Sequence, residues 1–392
     1  MKKIILSAMI LSLFVFSTGC GTEISDNASQ NIPAYNSQTV TSQSGESETT
    51  TSESAGKAEE KTIVTPDFEY TEAKNPDKKV TLKITTDLEN VEKIKIYKCS
   101  ANSKDKKHAV YRLVGQLTPD DIPSDKSVTV KVGKKDKVRK VAKDNSAIKV
   151  GYSTAGYRIC AVSGKETVWS EFRPYKTTID TGTIYQYNAD FEGFTACGAS
   201  NGVLVIQPAD PVYDQNMLDR FNGVRNYSKI STKYSGGKKL EYCMVGDQVV
   251  NSVNDYLKKK GKKYSVKNFD DVGGEPSDIV RELIDTGRPA MFDVQYRFGK
   301  IRTKSPYSHW ITVNGYKISA DGKSYILRWE NTIEPVDSQW VRQSLFNKAV
   351  QGTVDNRDFS YYNLTEKQVV KLCGEIKRNI VALSKPLVNS FI

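Results

Sequence analysis

The sequence predicts an α+β domain in the C-terminal half, preceded by an all-β sandwich, and three observations carry that prediction. Between residues 62 and 178 apolar and polar residues alternate with a period of two. From residue 179 onward, stripes of helical spacing alternate with short strand runs. Ahead of both, residues 21–61 consist mainly of Ser, Thr, Glu, Gln, Asn and Gly, with almost no large apolar side chain.

The chain begins Met1-Lys2-Lys3, continues through an uncharged apolar run from Ile4 to Phe16, and reaches Ser17-Thr18-Gly19-Cys20. A basic start, a short apolar segment and small residues describe a secretory signal over residues 1–20, too short to span a bilayer with the usual ~20 residues. These residues resemble a bacterial lipoprotein signal, which implies cleavage before Cys20 and a diacylglyceryl group on its thiol. Ser17 departs from the Leu usual at that place. Residues 21–61 cannot bury enough surface to offset the entropy of ordering, so they read as a tether between lipid and folded protein. The expected location is outside the cytoplasm, anchored to the cell membrane. The net charge of +11 is spread in lysines over both halves, with a concentration in "KKDKVRKVAK". Such a run is a solvated loop or strand face, with anionic cell-wall polymer as a candidate partner. An exported chain is not expected to meet nucleic acid.

In residues 62–178 the segments "VTLKITT", "EKIKIYKC", "SVTVKV" and "GYRICAV" alternate apolar with polar residues and are separated by polar turns, as in an antiparallel sandwich. The stretch "GYRICAVSGKETVWSEF" resembles the last two strands of a fibronectin type III module, and "IKIYK" its third strand. That resemblance implies a spacer or docking module. It also places Cys99 and Cys160 on neighbouring strands, where they are candidates for a disulfide.

Residues 179–392 have a different texture. "EPSDIVRELIDTGRPAMFDVQY" predicts a helix starting at Pro276-Ser277 and carrying Ile279, Leu283 and Ile284, a stop at Gly287 and Pro289, and then an apolar strand. "TEKQVVKLCGEIKRNIVAL" opens with Thr365 and Gln368 as a capping box and predicts a helix with Val369, Leu372, Cys373, Ile376 and Ile380 on one stripe. "SHWITVNGYKISADGKSYILRWENT" is two strand runs joined across Asp321-Gly322, a hairpin.

Three cysteines lie in this part of the chain. Cys373, on the apolar stripe, and Cys243, ahead of a helical run with Val249, Val250, Val253 and Leu257, read as packing residues or as partners in a bridge. Cys197, in "FEGFTACGASNGVLVI", stands at a predicted helix start among small residues. There the macrodipole and unpaired N–H groups favour thiolate, and a substrate carbonyl has room to approach. Gln186, in "IYQYNADF", is a candidate oxyanion donor. His309 is the only imidazole of the domain, because the other histidine of the chain, His108, lies in the sandwich. In the hairpin His309 shares a face with Ile311 and Val313, while Asn331 continues the face of Tyr325, Leu327 and Trp329 and Glu330 continues the opposite, solvated face. Coincidence of the apolar faces pairs His309 with Asn331; a different loop parity selects Glu330.

With Gln186, Cys197-Gly198, Gly287-Arg288-Pro289, His309-Trp310 and Gly315-Tyr316 in this order, residues 180–335 resemble papain-like cysteine peptidases, and more closely the bacterial branch related to double-glycine bacteriocin-leader peptidases. The resemblance implies a papain-like cysteine peptidase domain over residues 179–392 with Cys197 as nucleophile, His309 as base, Asn331 as orienting residue and Gln186 in the oxyanion site. It also implies a peptide or protein substrate; one histidine in the domain and no clustered Cys, Asp or Glu at ligand spacing predict no metal site, and no cofactor is expected. Ala196 and Ala199 stand where the family commonly has Asn and Pro, and Glu330-Asn331-Thr332 where it commonly has Asp-Pro. A cell-wall amidase or endopeptidase with the same dyad, and a non-catalytic surface adhesion or binding protein, are the alternatives. Wall-cleaving relatives usually carry a second imidazole after the first, and none follows His309.

Overall fold

The computed structural model describes residues 63–102, 108–134, 136–142, 151–185, 196–227, 247–295, 308–332, 339–355, 365, 367–368 and 379–388. All of them belong to one compact unit. The fold is mixed α/β and mostly sheet, and every strand pairing among the described residues is antiparallel.

The first part is two sheets facing each other. β1 (Phe68–Asn75), β2 (Lys79–Ile84) and β5 (Ser127–Lys131) form a three-stranded sheet. Opposite it lie β3 (Lys93–Asn102), β4 (His108–Leu117), β6 (Val138–Ala142), β7 (Ser153–Ser163), β8 (Glu166–Trp169) and β9 (Arg173–Thr178). The period-two pattern is the cause. Val80, Leu82 and Ile84 of β2 are buried, and they pack with Ile94, Ile96, Tyr157, Ile159 and Tyr175 of the facing sheet. The basic run includes the edge strand β6, whose Arg139 and Lys140 are exposed, an arrangement that discourages edge-to-edge pairing.

Cys99 and Cys160 are both free thiols, which corrects the candidate disulfide. Their strands are neighbours, but Cys99 pairs with Gly156 and Cys160 with Lys95. Four residues of register separate the sulfurs by roughly 13 Å at the rise of a strand, beyond the reach of a disulfide.

The second part continues the larger sheet. β10 (Val266–Asn268), β15 (Ile380–Leu383), β11 (Ala290–Gln295) and β12 (Ser308–Ile318) follow one another, and β12 also pairs with β13 (Tyr325–Glu330), which pairs with β14 (Gln339–Arg342). Helices cover both faces. α1 (Cys197–Ile206), α2 (Gln215–Tyr227) and α3 (Asp247–Lys259) pack with Met291, Trp310 and Val381; α4 (Pro276–Asp285) and α5 (Gln343–Asp355) pack with Phe292, Ile311 and Val313.

β12 joins the two parts. Its first half pairs with β11, its second half with β9, and β9 in turn pairs with β7. One sheet therefore runs through residue 178. Gly315 allows this crossing, because a Cβ there would stand 2.8 Å from the Thr177 carbonyl oxygen. At the hairpin tip Gly322 takes φ 74° and lies against the Tyr70 carbonyl, while Ala73 N–H donates to Ala320 O at 2.7 Å.

The Thr365–Gln368 capping box is present, with Thr365 N–H donating to Gln368 Oε1 at 2.7 Å and Gln368 N–H to Thr365 Oγ1 at 3.3 Å. Cys373 and the residues around it lie outside the described residues. Ile380, expected on the stripe of that helix, instead opens β15, all of whose side chains are buried between β10 and β11. Burying an Ile or Leu side chain fully is worth roughly 1.5–3 kcal/mol, whereas helix propensities differ by only ~0.7 kcal/mol or less among ordinary residues, so the central sheet position prevails.

Candidate functional site

Two candidate residues lie at the start of β12: Cys197 meets the N–H of Trp310 there, and His309 meets Asn331. α1 begins at Cys197 with Ala196 as its N-cap, without a side-chain cap, so the N–H groups of Cys197 and Gly198 face the sulfur. The third backbone donor toward that sulfur is the N–H of Trp310, the residue after His309. Cys197 is half-buried, and the neighbours Gly198, Ala199 and Ser200 are buried. Small side chains at these positions let the helix start approach the strand closely.

His309 is 6% exposed and its Nε2 lies 3.1 Å from Asn331 Oδ1. An amide oxygen only accepts, so Nε2 carries the proton and Nδ1 is left as the acceptor nitrogen of the neutral ring. The hairpin register explains the contact. Val313 pairs with Trp329 and Thr312 with Glu330, which sets Asn331 on the face of Ile311 and His309. Glu330 takes the other face, as the alternation requires. It is 4% exposed rather than solvated, and accepts from Asn314 Nδ2 at 2.9 Å and from Arg328 at 3.5 Å. Thr312 and Asn314 share this face, and Asn201 of α1 and Thr181 bond to them there, so the face is covered where the sequence pattern leads one to expect water.

The protonation states also differ from expectation. Burial pushes the Cys197 thiol up to about 11; the Trp310 N–H opposes this, the Asp293 carboxylate adds to it, and the N–H groups of the helix start oppose it. Burial likewise pushes His309 down to about 4, against the hydrogen bond to Asn331. The helix start does stabilise negative charge on sulfur, but desolvation outweighs it. At neutral pH Cys197 therefore rests as a thiol and His309 as a neutral imidazole.

Four further residues complete the site, and the sequence reading did not single them out. Asn201, one turn after Cys197, is fully buried and donates through Nδ2 to the Cys197 carbonyl and to the Trp310 carbonyl, both at 2.8 Å, and to Thr332 Oγ1 at 3.3 Å. Thr312 Oγ1 donates to Asn201 Oδ1 at 2.7 Å. Asp293, 2% exposed on β11, pairs with Trp310 in register. The available signal was a polar residue inside an apolar run: Asn201 in "GASNGVLVI" and Asp293 in "AMFDVQ".

Gln186, Cys20, Cys243 and Cys373 lie outside the described residues. Among the described residues no three His, Cys, Asp or Glu side chains group as a metal site would need, and no helix is long and apolar enough to cross a membrane. Comparison with protein-family models, with curated proteins and with solved structures finds no match.

Proposed function

We propose that the chain is a surface-tethered thiol peptidase acting outside the cytoplasm. In this reading residues 179–392 form a papain-like domain similar to the double-glycine leader peptidases, residues 62–178 a fibronectin type III-like spacer, and Cys20 the lipid anchor. The observation that carries the reading is the contact of His309 Nε2 with Asn331 Oδ1, together with a cysteine that opens a helix and meets the N–H of Trp310, the residue after His309.

The chemistry follows from the two neutral groups. His309 Nδ1 accepts the Cys197 proton as sulfur attacks a peptide carbonyl, and Asn331 holds the ring so that Nδ1 stays available. The Cys197 N–H and the Gln186 amide bind the oxyanion. His309 then delivers the proton to the leaving amine as the C–N bond breaks. Water adds to the thioester, the S–C bond breaks, and the proton lost by water returns to sulfur through His309. Because neither group is charged at rest, proton transfer accompanies attack rather than preceding it.

The test is hydrolysis of a mixed peptide library together with labelling by an epoxysuccinyl peptide, using the full chain, Cys197→Ala and His309→Ala. Cleavage and labelling are expected only with the unaltered chain. Persistence of both in Cys197→Ala, or their absence from the unaltered chain, overturns the reading; binding of wall polymer without cleavage points to the adhesion alternative.

A further inference from the structure

We infer that Asn201 is the positioning residue of this site, a single carboxamide that ties together the segments carrying Cys197, His309 and Asn331. The inference rests on the peptidase reading for its functional meaning. Its acceptors are the carbonyl of Cys197 itself, the carbonyl of Trp310 next to His309, and the hydroxyl of Thr332 next to Asn331. The amide oxygen is occupied as well, by the Thr312 hydroxyl on the same strand as His309. Each polar atom of a fully buried side chain thus has a partner, and each partner lies on Cys197, beside His309 or Asn331, or on the strand that carries His309.

Packing alone does not call for this residue. Apart from Ser200, whose hydroxyl bonds within the helix start, the buried residues of α1 carry no polar side chain besides Asn201, and Val203, Leu204, Val205 and Ile206 continue the face, so a leucine of similar volume would fill the space. A buried carboxamide is retained against its desolvation only where it makes hydrogen bonds that an apolar side chain cannot. Here those bonds fix the distance between the helix start and the open end of the hairpin, where β12 begins and β13 ends. Displacement of a reacting group by ~1 Å costs ~100-fold in rate, so a tie between these backbones acts on the chemistry through Cys197 and His309 without touching substrate.

The experiment uses the full chain and two readouts. One is the second-order rate of Cys197 alkylation by iodoacetamide from pH 6 to 10, located by peptide mapping. The other is the imidazole NMR signal of His309, which is readily assigned because the chain has two histidines and His108→Gln removes the other. Asn201→Leu should slow alkylation ~10- to 100-fold across the pH range and shift the His309 signal, and Thr312→Val should do the same on the order of 3- to 10-fold. Val203→Ala, in the same helix, supplies the stability control: it should lower the thermal midpoint and leave both readouts within about twofold. If Asn201→Leu and Thr312→Val only track Val203→Ala, the inference is wrong; where Asn201→Leu does not fold, Thr312→Val decides alone. A chain that cleaves no peptide yet shows these differences loses the peptidase reading and keeps the tie.

Discussion

The Nε2 of His309 lies 3.1 Å from the Oδ1 of Asn331, while Glu330, one residue earlier, is turned to the opposite face and accepts from Asn314. The two neighbours therefore have separable effects. Asn331→Ala should lower turnover by roughly ten- to a thousand-fold with little change in thermal midpoint, because a neutral orienting amide contributes geometry and less than the ~10⁴ of a buried carboxylate partner. Glu330→Ala should leave turnover nearly intact and cost about 1–3 kcal/mol of stability, since Asn314 loses one of its two buried acceptors and keeps only Thr181 Oγ1. Kinetics and denaturation on both variants check this, and a large kinetic loss in Glu330→Ala at an unchanged midpoint would count against the register.

The neutral resting states of Cys197 and His309 have a pH signature. With the thiol at about 11 and the imidazole at about 4, neither group titrates between those values. Alkylation of Cys197 by iodoacetamide should therefore rise about tenfold per pH unit from pH 6 to 10, following the thiolate fraction. A rate already level between pH 5 and 8 would show that a thiolate–imidazolium pair exists at rest.

Asp293 acts on the same thiol. Its carboxylate disfavours the thiolate, so Asp293→Asn should lower the thiol pKa and speed alkylation at pH 7–8 by roughly 3- to 10-fold, one pKa unit corresponding to a factor of ten. Slower alkylation in that variant, at an unchanged thermal midpoint, would assign Asp293 a different role.

The seam between the two parts carries a half-buried acid. Asp285, at the end of α4, accepts from Tyr316 Oη at 2.5 Å and from Thr177 Oγ1 at 3.3 Å, and its backbone carbonyl accepts from Tyr152 Oη at 3.1 Å. Burial raises its carboxyl from 3.8 to about 6, against the Tyr316 hydrogen bond and the Arg281 charge. A raised folded-state pKa means that the stability it contributes is fully present below about 3.8 and is lost as pH rises through about 6. Asp285→Asn keeps an acceptor for Tyr316 and removes the titration. Its stability relative to the unaltered chain should therefore improve between pH 4 and 7 by about 1–3 kcal/mol. Denaturant midpoints in that range check it, and curves that stay parallel would refute it.

The sequence by itself determined what local physics determines. A period of two forms β2, β5 and the first half of β3; Pro276 and Gly287 bracket α4; Asp321-Gly322 turns the hairpin; and small residues mark the helix start at Cys197. Tertiary structure decided everything that depends on which segments meet. A slip of one residue in the hairpin exchanges Asn331 for Glu330, and only the pairing of Val313 with Trp329 removes that choice. Ile380 left a predicted helical stripe for a strand because a central position in the sheet buries it completely. Asn201 became a tie between two backbones because β12 lies across the start of α1. The protonation of Cys197 and His309 was beyond local reading for the same reason: the helix dipole is a property of one turn, whereas desolvation sums over every segment that closes around the site.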